Sequence, residues 1–275
     1  MAASPAALSS VPDSAPNTGR VSLAPGTDRK AAVTEVESLI RRDGVAVLDD
    51  LVDPALIARV LAEVTRDYPD LAVTDPERNF GYFAGRHTTP LRIAGALGDP
   101  ALFLPPAIMG IGKHLLGKAW LLDTLGLLVS LPGAEDQDRH PDALLFPDSA
   151  IDRLLPPFAL ALAIPLVAMD EVTGTTAFWR GSHRQGEANG EHDFAPTVQP
   201  GSALLWDFRV HHRGLANRSG DPRPVLFAIL CREWWHEFVP RSMHRYAKLT
   251  LSPEVHAGLS PAMQHVATRA AISEV

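Results

Sequence analysis

Apolar positions recur at helical spacing near the start of the chain and then give way to short apolar runs cut by turn residues. Val33, Val36 and Ile40, with Glu37 between them, place one face of a helix over Lys30 to Arg41, and Asp43-Gly44 closes it. Val45 to Leu48 reads as a short strand. Asp53 followed by Pro54 is an N-cap with proline at the first helical position, and Leu56, Val60, Leu61 and Val64 supply the buried face of the next helix. Leu102 to Leu116 reads as helix and Trp120 to Ser130 as strand. Further on, Phe158–Ala168, Thr175–Trp179, Ala203–Trp206 and Val225–Leu230 are short apolar runs. They are separated at Thr173-Gly174, Gly181-Ser182, Pro200-Gly201 and Ser219-Gly220-Asp221-Pro222. Such spacing predicts a sandwich or barrel rather than alternating βα units. From about Ser252 the pattern turns helical and polar, ending in a helix around Ala262–Ala271.

Two stretches lack a period. Residues 1–28 are rich in Ala, Ser and Pro and read as a flexible tail. Residues 69–118 are broken by Pro69, Gly81, Gly85, Pro90, Gly95, Gly98 and Pro105-Pro106. Irregular stretches of this kind often form lids, so Tyr82, Phe83, Arg86, His87 and Arg92 become candidate substrate contacts.

Composition narrows the class. Of 275 residues, 46% are hydrophobic and 21% charged, the balance of a globular protein with a sizeable core. A formal charge of −7 without any dense Lys/Arg run excludes a nucleic-acid or anionic-membrane surface as the expected partner. The single cysteine, Cys231, requires no oxidising compartment. No run is long and apolar enough for a membrane span, and the opening MAASPAALSSVPDSAPNTG has neither a basic nor an apolar signal region. The expected location is the cytoplasm.

The chemistry concentrates in Arg139-His140-Pro141-Asp142 and Asp207-Phe208-Arg209-Val210-His211-His212. In an extended segment His140 and Asp142, two apart, point the same way and can grip one ion. A histidine from a distant strand would complete two imidazoles and one carboxylate, a set that leaves coordination positions open and favours non-haem Fe(II). Arg223 enters an otherwise apolar strand, which is costly unless a buried anion meets it; a carboxylate is the natural partner.

These residues resemble the phytanoyl-CoA hydroxylase-like family of Fe(II)/2-oxoglutarate dioxygenases. Pro132-Gly133 leads to Gln137-Asp138-Arg139-His140-Pro141-Asp142, similar to the family's Gln-x-x-His-x-Asp after a Pro-Gly turn. Gly174-Thr175-Thr176, Gly181-Ser182-His183 and Gly201-Ser202-Ala203-Leu204-Leu205-Trp206 resemble its later motifs, followed by His212 and Arg223 in the family's order. The similarity runs from about Asp43 through Trp234-Trp235.

The resemblance implies a mainly β fold with flanking helices, a double-stranded β-helix or jelly-roll barrel. Composition and periodicity divide the chain into the tail 1–28 and one domain, 29–275, with a helical shoulder 30–118, a core at about 119–240 and a helical segment 250–275. The resemblance also implies Fe(II) on His140, Asp142 and His212, with 2-oxoglutarate and O2 as co-substrates. Arg223 would pair with the far carboxylate of 2-oxoglutarate, and Gln137 and Thr176 would donate further hydrogen bonds. His212 is preferred to His211 because it directly precedes Arg213-Gly214, as the family's ligand does. His183 takes a structural role. Arg180 replaces the proline usual before Gly-Ser-His, and Pro141 separates the two ligands. Asp142 retains the carboxylate that related halogenases lack, which argues against halogenation.

The substrate expected from this is a small organic molecule of specialised biosynthesis, to be hydroxylated, desaturated, cyclised or epoxidised. Leu127, Val129, Leu144, Phe146, Phe158, Trp179 and Trp206 offer apolar walls. Arg86 and Arg92 suit a carboxylate or other polar handle. The competing readings are an amino-acid or acyl-thioester hydroxylase of the same family, a non-catalytic jelly-roll binding protein, and a zinc enzyme built on the same triad. Oligomeric state is not written in these motifs.

Overall fold

The computed structural model describes residues 18–68, 81–83, 85–147, 149–186, 188–236 and 248–274. In chain order the first half runs β1 (Arg20–Ser22), α1 (Arg29–Asp43), β2 (Val45–Asp49), α2 (Pro54–Asp67), β3 (Gly81–Phe83), β4 (Arg86–Pro90), β5 (Arg92–Ile93), α3 (Pro100–Phe103), α4 (Pro106–Leu116) and β6 (Leu121–Ser130). The second half runs α5 (Ile151–Leu154), β7 (Ala159–Pro165), β8 (Thr176–Phe178), α6 (Ser182–Gln185), β9 (Ala203–Asp207), β10 (His212–Gly214), β11 (Arg223–Cys231), β12 (Thr250–Leu251), α7 (Pro253–Gly258), α8 (Pro261–Val266) and β13 (Ala271–Ile272).

Local chemistry sets the helix ends. The Asp28 carboxylate accepts from the Lys30 and Ala31 amides at the start of α1, and Gly44, at φ +81°, ends it in the left-handed region. Asp53 accepts from the Ala55 amide at 2.8 Å, with Pro54 in the first turn of α2. Leu56, Ile57, Val60 and Val64 form its buried face.

Eight strands make the main sheet in the order β1-β2-β9-β7-β11-β6-β4-β3, and β10 with β8 make a small second sheet. The fold is a jelly roll, mainly β with helices on one side. Strands of the main sheet are buried on both faces, which is why their sequences are continuous apolar runs. One face, carrying Leu125, Leu127, Val129, Leu226, Ala228 and Leu230, packs with the residues of α1, α2 and α4. The opposite, inner face carries Val225, Ile229, Ala161, Ala163, Leu204 and Trp206, and packs with Phe178, Phe208 and Val210. His212, a candidate metal ligand in the sequence, lies on this inner side, its ring 5.9 Å from Phe178 and 5.3 Å from Trp206.

Several expectations are corrected. Leu127 and Val129 face the helices rather than a substrate wall; Leu128 and Ser130 take the inner face, because period two assigns alternate residues to opposite sides. Of the stretch expected as a lid, residues 69–80 lie outside the described residues, and Gly81–Phe83 with Arg86–Pro90 form the hairpin β3–β4 at the edge of the main sheet, with β4 paired to β6. The expected tail is already ordered at β1, where buried Val21 pairs with Leu48; residues 1–17 lie outside the described residues. The single C-terminal helix is instead two short helices, α7 and α8, with β13 beyond them. Among the described residues, no helix is long and apolar enough to cross a membrane.

Candidate metal centre

His140 and His212 face one another across an isolated antiparallel bridge. The His140 amide donates to the His212 carbonyl at 3.0 Å and the His212 amide to the His140 carbonyl at 2.9 Å. Directly opposed residues share a face, and the two rings stand 4.6 Å apart. Asp142 follows after Pro141, which has no N–H with which to extend the bridge into a regular strand. Its own amide donates to the Phe208 carbonyl at 2.8 Å. The segment is therefore a pinned loop rather than the extended strand expected from the sequence. It still brings one ligand atom each of His140, Asp142 and His212 within 4.8 Å of one another. His211 is not in this group.

Each ligand has its other donor or acceptor atom committed. His140 Nδ1 lies 2.7 Å from the Asp138 carbonyl and His212 Nδ1 lies 3.1 Å from the Val210 carbonyl. A carbonyl can only accept, so each Nδ1 carries a proton, and the neutral tautomer this selects is the one that leaves Nε2 its lone pair. The indole N–H of Trp206 donates to Asp142 Oδ2 at 2.8 Å, leaving Oδ1, which lies 3.6 Å from His212 Nε2. Burial pushes the His212 imidazole towards the neutral form, with Asp142 pulling the other way. Neutral imidazole is the form that ligates a metal. Two imidazoles and one monodentate carboxylate suit non-haem Fe(II) with coordination positions left for small ligands.

Arg223 lies on the same inner face of β11 as Val225 and Ile229. It is only 3% exposed. One guanidinium nitrogen, Nη1, donates to the Gly174 carbonyl at 2.6 Å, while its Nε has no partner among the described residues. Burial, aided by repulsion from Arg86, pushes its pKa down to about 10. It is therefore a buried cation at neutral pH with unsatisfied donor capacity, which fits a carboxylate ligand. Ser130, opposite Arg223 in the register, is fully buried and its hydroxyl likewise has no partner among the described residues.

The other residues singled out in the sequence fall into different places. Gln137 Oε1 accepts from the Gly214 amide at 2.9 Å, beside the ligand strand. Thr176 is paired with Gly214 in the small sheet. Phe146 is half exposed just beyond Asp142, and Leu144 is also exposed. Phe158 is fully buried, packed on Trp235 and Phe208 at 5.6 and 6.4 Å, so it is a core residue rather than a substrate wall. Trp179 follows Phe178, whose ring is on the His212 side, and so turns the other way. There it lies between Arg139 and Arg213, whose guanidinium carbons are 5.4 and 5.6 Å from its ring centre. Trp179 thus backs the ligand strands. Arg92 lies in β5, paired with β12, at the far end of β4 from Arg86. Tyr82 and Phe83 lie in β3, with side chains outside the described residues. His183 is buried, with burial pushing its pKa down, and its neighbour Ser182 accepts from the His211 amide at 2.8 Å.

The model of the phytanoyl-CoA dioxygenase family matches residues 40–225. The chain belongs to this family. Among curated proteins, the dioxygenase trt7 of Aspergillus terreus (strain NIH 2624 / FGSC A1156) is 25% identical over 230 residues, spanning 79% of this chain and 78% of the relative. Among solved structures, the non-heme alpha ketoglutarate dependent epimerase SnoN from nogalamycin biosynthesis is 22% identical, with a TM-score of 0.53 over 74% of this chain and 82% of that one. The carbocyclase SnoK of the same biosynthesis is 19% identical, with a TM-score of 0.55 over 75% and 86% of the two chains. These neighbours share the jelly-roll fold described above.

Proposed function

We propose that the protein is a Fe(II)- and 2-oxoglutarate-dependent dioxygenase that oxidises a small organic molecule in natural-product biosynthesis. The observation that carries this reading is the convergence of His140, Asp142 and His212 with every second atom already held by Asp138, Val210 or Trp206. SnoN has a structure in complex with Fe3+, alpha ketoglutarate and nogalamycin RO, a relative's precedent for this cofactor set and for a small-molecule substrate. A purely ligand-binding protein would have no use for a preorganised triad beside a buried, unsatisfied arginine.

His140, Asp142 and His212 would hold Fe(II), and the iron with 2-oxoglutarate and O2 would supply oxidising power as the co-substrate is converted to succinate and CO2. Arg223 would meet the distal carboxylate of 2-oxoglutarate, with Gln137 and Thr176 completing its cradle from the adjacent strands. The two Nδ1–H···O=C bonds and the Trp206 N–H keep the ligating atoms aimed inward, so the metal need not reorganise them. The exposed Leu144 and Phe146, two and four residues beyond Asp142, would meet substrate at the mouth. Hydroxylation is the default outcome; desaturation, cyclisation or epoxidation follows from a different substrate pose. Residues 29–275 would act as one catalytic unit, in the cytoplasm, since Cys231 is a free buried thiol and nothing in the chain calls for a disulfide.

The test is oxygen-dependent formation of succinate from 2-oxoglutarate by the Fe(II)-loaded protein. Turnover that is lost in Asp142→Ala supports the assignment. Turnover that survives in Asp142→Ala, or that appears with zinc in place of iron, removes it.

A further inference from the structure

Arg86 stood in the sequence as a lid residue poised for substrate. In the structure it is 2% exposed, at the start of β4, on the row where Arg86, Ser130 and Arg223 face one another across β4, β6 and β11. Its guanidinium is spread over three backbone carbonyls. Nη1 donates to Glu135 at 2.6 Å; Nη2 donates to Leu215 at 2.7 Å and to Gly214 at 3.3 Å. Glu135 belongs to the segment that leads to His140 and Asp142, and Gly214 and Leu215 follow His212 on the other ligand segment.

We propose that Arg86 is a positioning residue of the metal centre, a tie that fixes the spacing of the two ligand-bearing segments against the main sheet. This rests on the reading of His140, Asp142 and His212 as the iron site. The segments need such a tie. Around the ligands they are joined by the His140–His212 bridge, by the Gln137 amide to the Gly214 carbonyl at 2.9 Å and by the Gly214 amide to the Gln137 side chain, with the Asp142 amide on the Phe208 carbonyl at one end and the Asn217 amide on the Ala134 carbonyl at the other. These contacts form an irregular ladder broken at Pro141, with His212–Gly214 paired on its other side to β8, and a small pairing of this kind gains from a further tie to the main sheet. A planar guanidinium with several fixed donors can reach carbonyls on both segments at once.

Two glycines make room for it. A Cβ at Gly214 would lie 3.2 Å from Arg86 Nε and 2.6 Å from Gln137 Oε1, so any larger residue would push the tie off the strand. Gly85, at φ +76°, turns the chain immediately before Arg86, and a Cβ there would lie 2.9 Å from Ala134. The turn is further held by the Leu131 amide, which donates to the Gly85 carbonyl at 2.9 Å. Burial lowers the pKa of Arg86, opposed by Asp136. The carbonyl cluster is what makes a buried cation tolerable at this position.

The experiment compares wild type, Arg86→Met and Arg86→Lys as full-length proteins. It measures Fe(II) affinity, the absorption spectrum of the Co(II)-substituted protein as a report on coordination geometry, and 2-oxoglutarate affinity of the iron-loaded form. Loss of a group that orients metal ligands costs about 10- to 100-fold in metal affinity. Arg86→Met is expected to lose Fe(II) affinity in that range and to alter the Co(II) bands. Arg86→Lys, which keeps the charge and can reach some of the carbonyls, is expected to recover part of both. Wild-type Fe(II) affinity and Co(II) spectrum in Arg86→Met, with weakened 2-oxoglutarate binding alone, would overturn the proposal and make Arg86 a ligand contact. Should Arg86→Met not fold, Arg86→Lys decides: an unchanged Fe(II) affinity and spectrum overturn the proposal, and a weakened affinity with a shifted spectrum upholds it. Failure of the iron reading itself is distinguishable, because His140→Ala would then bind Fe(II) as the wild type does.

Discussion

Trp206→Phe separates orientation of the metal ligand from simple burial. The indole N–H donates to Asp142 Oδ2 at 2.8 Å, and its ring stands 5.3 Å from the His212 ring. Phenylalanine keeps an aromatic ring against Phe178 and His212 but removes the donor. A hydrogen bond to a charged group contributes about 1.5–3 kcal/mol. That corresponds to about 10- to 100-fold in Fe(II) affinity, the range expected for a partner that orients a metal ligand. Losing the rest of the indole also leaves a small cavity, costing about 1–2 kcal/mol of stability. The two effects report in different assays. Anaerobic Fe(II) titration of folded protein reads the first, and thermal melting of the metal-free protein reads the second. Trp235→Phe is the control: it trims an equally buried indole of the same core that packs on Phe158 and Phe208 rather than on the triad. It is expected to lower Tm similarly and leave Fe(II) affinity within about threefold, since no ligand contact is lost. Equal Fe(II) affinity in Trp206→Phe and Trp235→Phe would refute the role given to the indole N–H.

Other outcomes follow from the same geometry. Arg223→Ala is expected to weaken 2-oxoglutarate binding by about 10-fold or more, from loss of a buried charge-assisted contact, while Fe(II) affinity stays near wild type; titration of each ligand checks it. Because burial brings the Arg223 pKa down to about 10, its positive charge is complete at neutral pH and is lost as pH rises through that value, so 2-oxoglutarate affinity should fall on the alkaline side and not between pH 6 and 8. His211→Ala is expected to retain iron and His212→Ala to lose it, measured by metal content after gel filtration; the reverse pattern would overturn the ligand assignment. Cys231 is buried and burial pushes its thiol up to about 12, so thiol reagents at pH 8 should label it only after unfolding.

Much of the site was legible because its logic is local. His140 and Asp142 are two residues apart, and Arg223 stands out as a charge in an apolar strand. Helix ends were equally readable, since Asp53-Pro54 and Asp43-Gly44 carry their cap chemistry within a few residues. What escaped depends on distance along the chain or on strand facing. Trp206 meets Asp142 across 64 residues and read only as an apolar wall. Arg86 sits among glycines and prolines that mimic a loop, and its carbonyl partners lie 49 to 129 residues away. In the run Leu121–Ser130 nearly every residue is buried, so no alternation announces that Ser130 faces inward and Val129 outward. Trp179 reads in the sequence as one more apolar wall, but the register of Phe178 with His212 sends it to the other face.

The central claim, an iron centre that chelates a 2-oxo acid, is tested most directly by anaerobic absorption spectroscopy. Metal-free protein is titrated with Fe(II) and then with 2-oxoglutarate. The triad and Arg223 predict a weak visible charge-transfer band that appears only with both present, is absent in Asp142→Ala, and is discharged by oxygen with formation of succinate. Tightly bound iron with no band on adding 2-oxoglutarate would contradict the claim.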